Sequence, residues 1–99
     1  MAQLTILYWR DIPAQIIVRS GRQTAKRELP LRFQEAIDRA AMRSGARDSE
    51  AYLAEWRRGA AVSCGDDIEA EASSVAARLD EEYDDTRLAR LVDSGGRAA

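Results

Sequence analysis

The chain has 99 residues, of which 45% are apolar and 32% charged, and its net charge is −2. That suffices for one domain with one modest core and is too apolar for a disordered chain. With one cysteine and no histidine, an internal disulfide, Ser-His-Asp and Cys-His catalytic sites and an ordinary zinc site are excluded within the chain.

The first predicted element is a strand over Leu4 to Arg10, with Leu4, Ile6 and Tyr8 on one side and Thr5, Leu7 and Trp9 on the other. Arg10-Asp11-Ile12-Pro13 is the connection to a second strand, Ala14 to Arg19, rich in β-branched residues. So short a gap makes an antiparallel hairpin. Ser20 to Glu28 reads as a polar loop. Pro30 opens a helix in which Phe33, Ile37, Ala40 and Ala41 keep helical spacing, and Gly45 stops it. A second helix starts at Asp48 or Ser49, carries Tyr52, Leu53 and Trp56 as its stripe and ends at Gly59. Ala60 to Cys64 is a third strand. Asp66 and Glu69 have capping-box spacing. One long helix is expected from Asp67 to Leu91, with Ile68, Ala72, Val75, Leu79 and Leu88 in its stripe and Asp84-Asp85 as its weak point. Residues 94–99 are expected as a flexible polar tail beyond a single domain, 1–93. The order β-β-α-α-β-α predicts an α+β fold, a small three-stranded, largely antiparallel sheet with helices packed on one face. Should the last stripe be wider than this core, a homodimer would bury the excess.

Charge is unevenly spread. Residues 1–60 hold 11 Lys/Arg against 7 Asp/Glu, and residues 61–99 hold 4 against 10. Such halves attract each other within one fold, or meet two partners of opposite charge. No apolar run approaches the roughly 20 residues that span a bilayer. The N-terminus has no basic start of a signal peptide, so no membrane contact and a cytoplasmic location are expected.

Four places are candidates for function. Arg19, Arg22, Lys26 and Arg27 are anion-binding candidates, since guanidinium groups suit phosphate or carboxylate; the plainer reading is a solvated loop. This stretch has no Walker pattern and no interleaved aromatics, and nucleic-acid binding is not expected of a chain with net negative charge. Trp56, Arg57 and Arg58 are either helix-end cations beside a core aromatic or a partner-binding edge. Cys64 reads as a structural thiol, because Asp66 and Asp67 oppose a thiolate and no histidine serves as base. Trp9, Arg10, Asp11 and Ile12 form either a protruding recognition tip or a turn whose charges bond locally. The acidic run after Leu79 lacks a calcium-loop pattern, so no metal is expected.

"LTILYWRDIPAQIIVRSGR", "LPLRFQEAIDRAAMRSG" and "AYLAEWRR" resemble the small bacterial family labelled virulence factor, whose domain is also similar to part of the staphylococcal conserved virulence factor C. Trp9-Arg10-Asp11-Ile12-Pro13 and Glu55-Trp56-Arg57-Arg58 are the most distinctive marks of the resemblance. It implies an accessory role beside folate- and cobalamin-dependent methyl-transfer enzymes, with no catalytic residues and no cofactor to carry over. The expected function is a non-catalytic interaction domain. Its partner would be a protein such as a methyl-transfer enzyme, met through Trp9, Arg10, Asp11, Ile12, Trp56, Arg57 and Arg58. The alternative is an enzyme or small anionic-ligand binder using Arg10, Asp11, Arg19 and Arg22.

Overall fold

The computed structural model describes residues 2–46 and 48–98. Its elements are β1 (Ala2–Trp9), β2 (Ile12–Ser20), β3 (Gln23–Glu28), α1 (Leu31–Ser44), α2 (Ser49–Ala54), β4 (Trp56–Arg58), β5 (Val62–Cys64), α3 (Ile68–Glu82) and α4 (Asp85–Asp93). The class is α+β, and the sheet is antiparallel in the order β3-β2-β1-β4, with β5 also on β1.

The sheet is larger than the expected three strands. Gln23–Glu28, expected as a loop, pairs with Gln15–Ser20. Only Ala25 of this strand is buried, because β3 lies at the sheet edge. Charged side chains there protect an open row of backbone groups and disguise the strand as a loop. Trp56–Arg58 is the other addition. Expected at a helix end, it pairs instead with Leu7–Trp9.

Register explains the core. β1 and β2 pair Leu4 with Val18 and Ile6 with Ile16. Ala2, Leu4, Ile16, Val18 and Ala25 are buried on one face, and α3 packs across β2 and β3 there with Ala72, Val75 and Leu79. Pro13 sits where the register shifts between Leu7 and Tyr8. A proline cannot donate to a ladder, and a bulge is where a strand tolerates it. β3 ends opposite Gln15, so the ladder does not reach Pro13.

α1 buries Phe33, Ile37, Ala40 and Ala41, and Gly45 ends it at φ +82°. Asp48 caps α2, accepting the Ala51 amide at 2.9 Å. Asp67, rather than Asp66, caps α3 by accepting the Ala70 amide.

The expected single long helix is two helices. Tyr83 leaves helical geometry at φ −101°, ψ 69°, and the Asp84 carboxylate accepts the Arg87 amide at 2.8 Å to start α4. Arg32 of α1 fixes the break. Its guanidinium donates to the Asp80 and Tyr83 carbonyls, both at 2.7 Å, and pairs with the Asp80 and Asp85 carboxylates at 2.6 and 3.3 Å. Carbonyls at the end of α3, without helical partners, are thereby satisfied. The break lets α3 follow the sheet while α4 packs on α1. Asp84→Ala should cost about 1 kcal/mol, as loss of a helix cap does, and Asp84→Asn should restore most of it in urea denaturation.

The charge halves meet within the fold. Arg27 pairs with Glu69 at 3.0 Å, Arg32 with Asp80, and Arg43 with Asp93 at 3.9 Å.

Residues 94–98, expected as a flexible tail, return across the hairpin instead. Gly95 and Gly96 are buried, and the Gly96 carbonyl accepts the Asp11 amide at 2.8 Å. Gly96 has φ +93°, and a Cβ there would lie 2.8 Å from the Trp9 ring. Only glycine passes at that height. Ala99 lies outside the described residues. Among those residues, no helix is long and apolar enough to cross a membrane.

Candidate functional site

The hairpin connection is two residues, Arg10 and Asp11, not four. Ile12 and Pro13 belong to β2. Trp9 and Ile12 face each other across the hairpin, and both are fully buried. Of the two readings of this segment, the protruding tip does not hold for Trp9 and Ile12, which are core. Trp9 stacks on Tyr52 at 5.8 Å between ring centroids, and its indole N–H donates to the Tyr52 carbonyl at 2.8 Å.

Arg10 has φ +53°, a left-handed conformation that costs a side-chain-bearing residue free energy. The surroundings over-determine it. Its amide donates to the Glu55 carbonyl at 3.1 Å, and its Nη1 donates to the Gly95 carbonyl at 2.7 Å. The guanidinium lies 4.9 Å from the centroid of the Trp9 ring. Its buried Nε comes within 3.5 Å of the Glu55 carboxylate, close enough for an ion pair but not aligned for a hydrogen bond. Asp11 is equally engaged. Oδ1 accepts from Arg57 Nη2 at 3.1 Å, and Oδ2 accepts from the Ala98 amide at 2.6 Å. Arg57 Nε also donates to the Arg10 carbonyl, and Arg97 pairs with Glu55 at 3.2 Å. The turn is clamped from two sides, by Glu55–Arg57 and by the C-terminal segment.

Of the predicted partner-binding residues, Trp9, Arg10, Asp11, Ile12, Trp56 and Arg57 are thus brought together, but mostly to hold one another. Arg58 stands apart. It pairs with Leu7 in register and is exposed. The anion-binding candidates are not brought together. Arg27 points to α3, where it meets Glu69 and Ser73. Arg22 lies in the exposed turn after β2. Arg19 and Lys26 fall on the other face of the sheet by register.

That other face carries Gln3, Thr5, Leu7, Ile17, Arg19, Thr24, Lys26 and Arg58. Gln3, Arg19, Thr24, Lys26 and Arg58 are exposed. Among the described residues, Arg19, Lys26 and Arg58 form no ion pair. Beside them opens a groove of about 410 Å³ lined by Leu7, Gln15, Glu28, Leu29, Leu31, Phe33 and Trp56. Leu31, 73% exposed, stands at its rim. Sequence reading passed over this groove, although Leu31 falls outside the buried stripe of α1 and was the signal available.

A family model described as virulence factor matches residues 7–92. The chain belongs to the virulence factor family. Neither the curated proteins nor the solved structures contain a match to it. The matched span takes in the Trp9–Pro13 segment and Glu55–Arg58, so the turn and one side of its clamp lie inside the family domain. The other side, Gly95–Ala98, lies beyond the match.

Two further groups complete the chemistry. Partial burial, and then the Glu71 and Asp66 carboxylates, raise the Cys64 thiol above its ordinary value. That works against a thiolate at neutral pH. Burial also raises the Tyr83 phenol, against a downward pull from Arg87. Among the described residues, no group of three or more Asp, Glu or Cys side chains has the arrangement of a metal site.

Proposed function

We propose that this member of the family is a non-catalytic interaction module that docks onto an acidic surface of a larger protein. The observation that carries the reading is the uncovered sheet face. It holds three cations without ion-pair partners among the described residues, next to a mixed groove in which Leu31 and Trp56 stand beside Gln15 and Glu28, while the acidic α3 occupies the opposite face. Arginine and tryptophan are favoured at the centre of interaction surfaces, and this face offers Arg58 and Trp56 from the distinctive Glu55–Arg58 mark. The clamped turn then acts as the rigid support of the surface. The partner class we infer from the family resemblance is a folate- or cobalamin-dependent methyl-transfer enzyme, and the setting we infer from the lone thiol is the cytoplasm.

The test is capture of the candidate enzyme by wild type, by Lys26→Glu/Arg58→Glu and by Leu31→Asp. Both variants change exposed positions, so the fold should persist by circular dichroism. Capture should fall in both, and wild-type capture should weaken as salt rises. Undiminished capture by the charge-reversed protein would sink the proposed surface. A charge reversal of Arg78, on the α3 side, should leave capture unchanged.

A further inference from the structure

α4 and the returning C-terminal segment enclose a second cleft, of about 190 Å³, lined by Arg87, Arg90, Arg97, Tyr83, Leu91 and Asp11. Three arginines, Arg87, Arg90 and Arg97, therefore line one small cleft. Arg97 is held by Glu55. Arg87 lies on the Tyr83 ring at 3.9 Å and donates one hydrogen bond to the Glu82 carbonyl at 3.3 Å. Among the described residues, neither Arg87 nor Arg90 has a carboxylate within ion-pair distance. Asp11, the carboxylate in the lining, is already shared between Arg57 and the Ala98 amide.

Ion pairing within the fold does not account for this placement. Like charges three residues apart on a helix repel. Arg90 in the last turn of α4 suits the helix dipole, but Arg87 sits in the first turn, where a cation is unfavourable. Two of the cleft's three cations, Arg87 and Arg90, are therefore left without an ion pair among the described residues, and Tyr83 and Leu91 line the cleft beside them.

We propose that this cleft binds a small phosphate monoester. Guanidinium forks match phosphate oxygens, and the arginines that line the cleft supply more donors than one carboxylate accepts. The aromatic and leucine lining suits the ester carbon. A volume of about 190 Å³ falls below the roughly 300 Å³ of sites for drug-sized ligands, so a folate or a dinucleotide does not fit. The site is separate from the open sheet face and does not depend on the docking reading.

The experiment is an NMR titration of the ¹⁵N-labelled full chain with glycerol phosphate, against chloride at matched ionic strength. Wild type should show saturable shifts at the Arg87, Arg90 and Ala98 amides. Arg87→Ala/Arg90→Ala should bind about tenfold more weakly or worse, as loss of a charge-assisted hydrogen bond implies. Arg19→Ala/Lys26→Ala, on the sheet face, should bind as wild type does. Both arginines of α4 are exposed, and Arg90→Gln provides a milder variant should the double one lose its folded spectrum. Shifts no larger than those with chloride, saturation at other residues, or equal loss in both double variants would overturn the assignment.

Discussion

Trp9→Ala should lose about 3–5 kcal/mol of folding stability, the range for removing a large buried aromatic. The side chain is fully buried between the hairpin and α2, and its N–H satisfies the Tyr52 carbonyl. Alanine leaves a cavity, a Tyr52 carbonyl with only the Glu55 amide, at 3.4 Å, as donor, and a guanidinium, that of Arg10, without its aromatic neighbour. Against the ~5–15 kcal/mol of a typical domain, such a loss leaves the fold marginal. Trp9→Phe separates the contributions. It keeps most of the packing and loses the hydrogen bond, so it should cost about 1–3 kcal/mol. Urea denaturation followed by the fluorescence of the remaining Trp56 measures both. An unchanged midpoint for Trp9→Ala would mean that the residue serves a surface and not the core.

The elements that the sequence announced most clearly are those with one apolar face and a clean stop. Phe33, Ile37, Ala40 and Ala41 mark α1 by spacing alone, and Gly45 ends it at a positive φ. The hairpin follows from two runs of apolar and β-branched residues. What escaped reading depended on partners distant in sequence. β3 is nearly all polar because its outer edge meets water, so alternation conveys nothing there. β4 has three residues, too few for any period, and exists because β1 has a free edge. The break between α3 and α4 is set by Arg32, about fifty residues away. Asp84 was the local sign of it, and the continuing leucine stripe concealed it, since α4 uses Leu88 and Leu91 against α1 and not against the sheet.

The candidate sites divide in the same way. Arg10-Asp11 stood out in the sequence because a short turn with Arg, Ile and Pro in place of glycine needs a reason. The reason is intramolecular. Glu55, Gly95 and Gly96 meet Arg10 and Asp11 across 40 or more residues of sequence, and no local pattern couples them. Arg19 and Lys26 were grouped with Arg22 and Arg27 by proximity in the chain. In a strand, neighbours point to opposite faces, and that alone separates Lys26 from Arg27.

Truncation after Asp93 is the second large effect, and it should cost about 2–4 kcal/mol. The missing segment supplies the acceptor for the Asp11 amide, an acceptor for the Arg10 guanidinium and the glycine, Gly96, that lies against the Trp9 ring. A hydrogen bond to a charged group contributes about 1.5–3 kcal/mol, and an ordinary one about 1 kcal/mol. Water regains access to the turn after truncation, which recovers part of that. Gly96→Ala should destabilise in the same direction without deleting anything, because its Cβ meets the Trp9 ring and its φ is positive. A frayed tail would instead leave the urea midpoint of both proteins at the wild-type value. Arg10→Ala resolves the mechanism. If the tail acts through the Arg10 contact, Arg10→Ala and truncation together should cost clearly less than the sum of their separate effects. Additive losses would assign the tail's contribution to the contact with Trp9 alone.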